Sequence, residues 1–99
     1  MTHLRLWKFE VAPEHEERFV AAYRSDGDWA RLFSAAPGFL KTELWRSADG
    51  SFLTADHWGS EADFDRFQQS LGEEYHRLDA ELEEVAGVET FLGAFDLAG

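Results

Sequence analysis

The sequence predicts an α+β fold in the order β-α-β-β-α-β, and three observations carry that prediction. Apolar residues alternate with a period near two in four separate segments, Leu4 to Val11, Phe39 to Arg46, Phe52 to Trp58 and Val88 to Phe95. Between these segments the apolar spacing changes to three and four residues, the period of a helix. The two middle segments flank Ala48-Asp49-Gly50, a tight-turn sequence that makes them one antiparallel hairpin. With 99 residues there is room for one core only, so residues 1–99 are read as a single domain.

Each element has a local cause. The first strand carries Leu4, Leu6, Trp7, Phe9 and Val11 and stops at Pro13, whose fixed φ suits the first turn of a helix. From Glu14 the spacing is helical, with Phe19, Val20 and Tyr23 on one face. Ser25-Asp26-Gly27-Asp28 interrupts it, and Asp28 can cap a second short helix bearing Trp29, Leu32 and Phe33. Pro37-Gly38 ends that helix, and the hairpin follows. Ser60 with Asp63 forms a capping-box pattern ahead of the longest periodic run, Phe64, Phe67, Leu71, Tyr75, Leu78, Leu82 and Val85. Gly72 is a candidate kink, and Gly87 reads as a left-handed C-cap before the last strand. The whole is the ferredoxin-like, or split βαβ, arrangement: a four-stranded antiparallel sheet with its helices on one face.

Composition removes several function classes. Nine Lys plus Arg against twenty Asp plus Glu give a net charge of -11, so phosphate backbones and anionic lipid surfaces are repelled, and neither nucleic acid nor membrane is an expected partner. The chain has no Cys, which excludes thiolate metal sites and a Cys nucleophile and suits a reducing compartment. Arg5, Lys8 and Glu10 interrupt the first apolar stretch, so no signal peptide or spanning helix is read there and a cytoplasmic location is expected. The four His stand apart at His3, His15, His57 and His76 without a two-His motif, so no metal is expected. No Gly-rich phosphate loop, nucleophile elbow or dinucleotide fingerprint occurs.

Strict alternation places Leu4 and Leu6 opposite Trp7 and Phe9, Phe39 and Trp45 opposite Leu40 and Leu44, and Phe91 and Phe95 opposite Leu92. Both faces of the sheet are then apolar, while the helices cover one. The expected remedy is a homodimer that packs sheet against sheet through the uncovered face.

The stretches Ala36-Pro37-Gly38-Phe39-Leu40, Thr54-Ala55-Asp56-His57-Trp58, Ser60-Glu61-Ala62-Asp63-Phe64, Glu74-Tyr75-His76 and Leu92-Gly93-Ala94-Phe95 together resemble the antibiotic biosynthesis monooxygenase family of the dimeric α+β barrel superfamily. The resemblance implies a homodimer with a pocket in each subunit between helices and sheet. It also implies oxygenation of electron-rich aromatic molecules without flavin, haem or metal, hence no cofactor. In the polyketide oxygenases of that family an Asn precedes a strand tryptophan by four positions and a Tyr follows it by six. Trp58 matches the tryptophan, but Thr54 and Phe64 stand at the other two places. Haem-degrading relatives use an Asn, a Trp and an axial His where this chain has Trp7, Phe67 and, approximately, His76.

Given such a pocket, strand parity points Thr54, Asp56 and Trp58 into it together with Arg5, Trp7 and Phe9. The helices add Phe64, Phe67 and Tyr75, with Tyr23 a further candidate. The competing reading is that these aromatics fill a core. His76 and Asp56 are the candidate bases, His76 because imidazole titrates near neutrality and Asp56 if it is buried. For Asp56 an ion pair with Arg5 is the leading reading. His57 is expected on the dimer face, and His3 and His15 at the surface. Three functions remain in view: a cofactor-independent monooxygenase acting on an aromatic or polycyclic small molecule, a non-catalytic or stress-associated small-molecule-binding dimer, and a haem-degrading monooxygenase.

Overall fold

The structure is a computed structural model that describes residues 1–99. Four strands, β1 (His3–Glu10), β2 (Phe39–Arg46), β3 (Phe52–Trp58) and β4 (Val88–Asp96), form one antiparallel sheet in the order β2-β3-β1-β4. After β1 the chain makes a 3₁₀ turn at Pro13–His15 and two short helices, α1 (Glu16–Tyr23) and α2 (Asp28–Phe33). The long helix α3 (Glu61–Ala86) connects β3 to β4. This is the ferredoxin-like α+β fold, and no helix is long and apolar enough to cross a membrane.

The local signals act as their chemistry requires, with three adjustments. Ser60 Oγ accepts the Asp63 backbone N–H at 3.1 Å and starts α3. Asp28 is not the cap of α2; Gly27 is, and Asp28 is the first helical residue, where it binds Arg18 and Arg31. The irregularity in α3 falls at Leu71 (φ -121°, ψ 19°), beside Gly72. Gly87 has the expected positive φ of 67°, but its ψ of -130° lies outside the left-handed helical well. A Cβ there would sit 2.1 Å from the Glu10 carbonyl oxygen, so the return from α3 into β4 runs too close to the end of β1 for any other residue.

The inner face of the sheet follows from register. His3, Arg5, Trp7 and Phe9 on β1 stand opposite Trp58, Asp56, Thr54 and Phe52 on β3, and the helices cover them all. Phe9, Phe19, Phe52, Trp58, Phe67 and Leu82 form the buried centre of this layer. Phe19 and Tyr23 stack at 4.2 Å, and Phe33 meets Trp58 and Phe67 edge to face.

Two bulges overturn part of the strict alternation. On β2 an extra residue at Leu40 puts Phe39 on the inner face with Thr42 and Leu44, and leaves Leu40 and Trp45 exposed. On β4 an extra residue at Leu92 puts Phe91 inward beside Trp7 and Phe95 outward opposite Leu4. Phe39 and Trp45 therefore do not share a face, and neither do Phe91 and Phe95. The outer face still carries Leu4, Leu6, Leu53, Trp45 and Phe95, and Trp45 and Phe95 keep 56% and 49% of their surface exposed.

Candidate active site

Between the inner face and the helices lies a cavity of about 110 Å³. Its floor is Thr42, Thr54 and Asp56 of the β2–β3 hairpin, with Arg5, Trp7 and Phe9 from β1. Tyr23, Trp29 and Phe33 close one side, and Phe64 and Tyr75 of α3 close the other. Gln68, Asp79 and Glu89 complete the lining, and because Gln68 and Glu89 are exposed the cavity opens between α3 and β4.

Asp56 is the central polar group. Antiparallel pairing sets Thr42 directly across from it, and Thr42 Oγ1 donates a 2.6 Å hydrogen bond to its Oδ1. Burial deep in the protein pushes the carboxyl up from 3.8 to about 6, against the opposing effects of the Thr42 hydrogen bond and the Arg5 charge. What exposure it retains is toward the cavity, so the group can exchange a proton with whatever enters.

The expected ion pair between Asp56 and Arg5 is not formed. The two face each other across β1 and β3, yet Arg5 takes part in none of the ion pairs of the chain. Its guanidinium instead lies 4.0 Å from the centre of the Phe64 ring and 4.9 Å from that of Phe91. Two aromatic rings, one from α3 and one from β4, have drawn the side chain away from its cross-strand carboxylate.

The rim is acidic and partly desolvated. Burial raises the Glu89 carboxyl, and the charges of Asp79 and Glu83 raise it further. The Tyr75 phenol is raised by burial and by the nearby Asp79 and Glu89 charges, and burial likewise raises the Tyr23 phenol. Both tyrosines therefore enter the cavity as neutral hydrogen-bonding groups.

Of the residues expected at the site, Arg5, Trp7, Phe9, Tyr23, Thr54, Asp56, Phe64 and Tyr75 meet in one cavity, and three do not reach it. Trp58 is fully buried behind the wall among Phe33, Phe39, Phe64 and Phe67, and Phe67 is buried beside it. His76 is exposed and outside the lining, touching only the edge of Tyr75. One helical step takes it off the inward stripe.

His57 faces outward, bonded to Glu43 at 2.8 Å. His3 is not a surface residue: 2% exposed, it packs near Phe64 and bonds through Nδ1 to Asp96 at 2.9 Å. Nor does it stand alone, since Glu61 and Asp96 each bring an oxygen within 4.8 Å of it, one inner-face pair along the sheet from Arg5 and Asp56 and outside the cavity lining.

Sequence reasoning missed Trp29, Phe33, Thr42, Gln68, Asp79 and Glu89. Asp79 was within reach, one helical turn beyond Tyr75 on the same stripe. Thr42 was legible by counting back from the hairpin turn, because the pairing runs unbroken from Arg46 opposite Phe52 to Thr42 opposite Asp56 and the bulge lies beyond it.

Comparison with known proteins settles the kinship. Residues 3–80 match the family model described as antibiotic biosynthesis monooxygenase. The chain belongs to that family. No curated protein sequence matches it.

Among solved structures it resembles the ActVA-Orf6 monooxygenase of Streptomyces coelicolor, crystallised with nanaomycin D. The TM-score is 0.76 and the identity 20%, over 98% of this chain and 88% of that one. It also resembles a mutant of SnoaB, a cofactor-independent oxygenase from Streptomyces nogalater (TM-score 0.69, 21% identity, 99% and 94% coverage). A third likeness is Rv0793 from Mycobacterium tuberculosis (TM-score 0.68, 20% identity, full coverage of both chains). At these identities the likenesses speak to the fold of this family member.

Proposed function

We propose that this family member is a cofactor-independent monooxygenase that acts on an aromatic small molecule in the cavity, with Asp56 as the base. The observation that carries the reading is a buried carboxylate facing an aromatic-walled cavity, free of any ion pair and titrating near neutrality. An acidic C–H or phenolic O–H placed against Asp56 loses its proton there, and the resulting electron-rich anion reduces dioxygen. For an activated ring methylene, one oxygen atom becomes the new carbonyl and the other leaves as water. The protein contributes orientation, exclusion of water and a proton acceptor. An apolar cavity of about 150 Å³ holds one benzene ring. At about 110 Å³ this one holds no more than a single ring, and the remainder of a polycyclic substrate occupies the open mouth.

The test is oxygen uptake with an anthrone and with a quinol. Turnover by the native chain and a loss of at least about 100-fold in Asp56→Asn, with ligand binding kept, support the reading. Absence of oxygen uptake with both compounds rejects it. A second reading, a small-molecule-binding protein without turnover, is favoured by Thr54 and Phe64, which supply neither the amide nor the phenol found at those places in the polyketide oxygenases. It predicts binding with no oxygen consumed. Haem degradation finds no support in the geometry, because His76 lies outside the cavity and the enclosed space is that of one small ring.

We infer further that two copies pack through the outer sheet face. Leu40 and Trp45 of β2 and Leu92 and Phe95 of β4 are large apolar side chains left exposed, with Leu4, Leu6 and Leu53 between them on the outer face, and monomers seldom leave such a set in water.

A further inference from the structure

We propose that Arg5 is an anion seat that restricts the cavity to aromatic rings carrying an ionised oxygen substituent, a phenolate or a carboxylate. The inference rests on the proposed function only in taking the cavity as the ligand site.

The guanidinium lies over two aromatic ring faces. Phe64 lies 4.0 Å from it and Phe91 4.9 Å, so the two rings fix its position. The Arg5 side chain makes no hydrogen bond within the chain. A guanidinium has five N–H donors in its plane, and a ring face satisfies none of them. No carboxylate of the chain does so either: Asp56, across the strand pair, is held by Thr42 at 2.6 Å, and Arg5 belongs to no ion pair.

Charge singles out this position. Arg5 is the sole cation in the lining, whose other ionisable carboxyls are Asp56, Asp79 and Glu89. An anion entering a cavity with three acids is repelled everywhere except at Arg5. The wall around it is Trp7, Phe64 and Tyr75, which accept a flat ring and offer no other positive group. A ring bearing an ionised oxygen matches this arrangement, the ring lying against the aromatic wall and the oxygen meeting the free guanidinium edge. A charge-assisted hydrogen bond of that kind is about twice as strong as a neutral one. A neutral ring of the same shape gains only the wall.

The test compares benzoate with benzamide, two probes of one shape that differ in charge. Trp7 and Trp29 line the cavity, so quenching of tryptophan fluorescence reports occupancy, with calorimetry as the second measurement. The native protein is expected to bind benzoate at least about tenfold more tightly than benzamide. Arg5→Gln is expected to lose that preference through weaker benzoate binding, with benzamide unchanged, and Arg5→Lys to keep part of it. Equal binding of the two probes by the native protein, or binding of neither, overturns the proposal without need of any variant. A benzoate preference that survives Arg5→Gln also overturns it. Oxygen uptake is measured separately: turnover without the benzoate preference removes the anion seat and leaves the oxygenase, and the preference without turnover does the reverse.

Discussion

Asp56 carries a cost that its surroundings only partly offset. Its carboxyl titrates at about 6 in the folded chain and at 3.8 when unstructured, so between these values the folded state holds a proton that the unfolded state has released. Stability contributed by the neutral carboxyl is full below pH 3.8 and is lost as pH rises through 6. By pH 7 the loss is on the order of 2–3 kcal/mol. Asp56→Asn is expected to recover most of it, and urea unfolding at pH 4 and pH 7 checks this: the pH 4 values should nearly agree and the pH 7 values should separate. Thr42→Val removes the hydroxyl that favours the charged form. The inflection of Asp56, followed by NMR titration, should then move further upward. Both residues show how much was legible from sequence. Parity alone put Asp56 inside, but its ion pair with Arg5 was misjudged, because competition from the rings of Phe64 and Phe91 is tertiary information that strand spacing does not contain.

At the scale of elements the chain announces itself well. Strand alternation, the Asp49-Gly50 turn, the Ser60 cap and the long α3 stripe are local signals, and each element formed within a few residues of where they placed it. The failures were the two bulges, since an extra residue leaves no mark in composition yet reverses every side chain beyond it. Two substitutions at the ends of α3 should rank by mechanism. Ser60→Ala removes one hydrogen bond to an otherwise unpaired N–H and should cost about 1 kcal/mol. Gly87→Ala forces a side chain into a positive φ and against the Glu10 carbonyl, and should cost more. Thermal unfolding followed by circular dichroism orders the two, and the reverse order would show that the β1–α3 approach relaxes easily.

For the molecule as a whole, the helices shelter one side of a sheet that is apolar on both. Phe95 lies on the edge strand of the uncovered side, opposite Leu4 and over Gly93. Phe95→Glu is expected to convert a dimer into a monomer in sedimentation while the helical content is kept. A native chain that sediments as a monomer at micromolar concentration would remove the dimer. The excess of carboxylates, a net charge of -11, makes the one cation within the cavity the more conspicuous.

The extra residue at Leu92 divides the edge ribbon into two halves that run out of phase. The half before it turns Glu89 and Phe91 toward the inner face, and the half after it turns Phe95 toward the open side. Splicing out Leu92 would therefore straighten the ribbon and leave both halves facing as they do now. Splicing out Thr90, two positions earlier, with the bulge at Leu92 kept, would roll the leading half over and swing Glu89 away from the mouth.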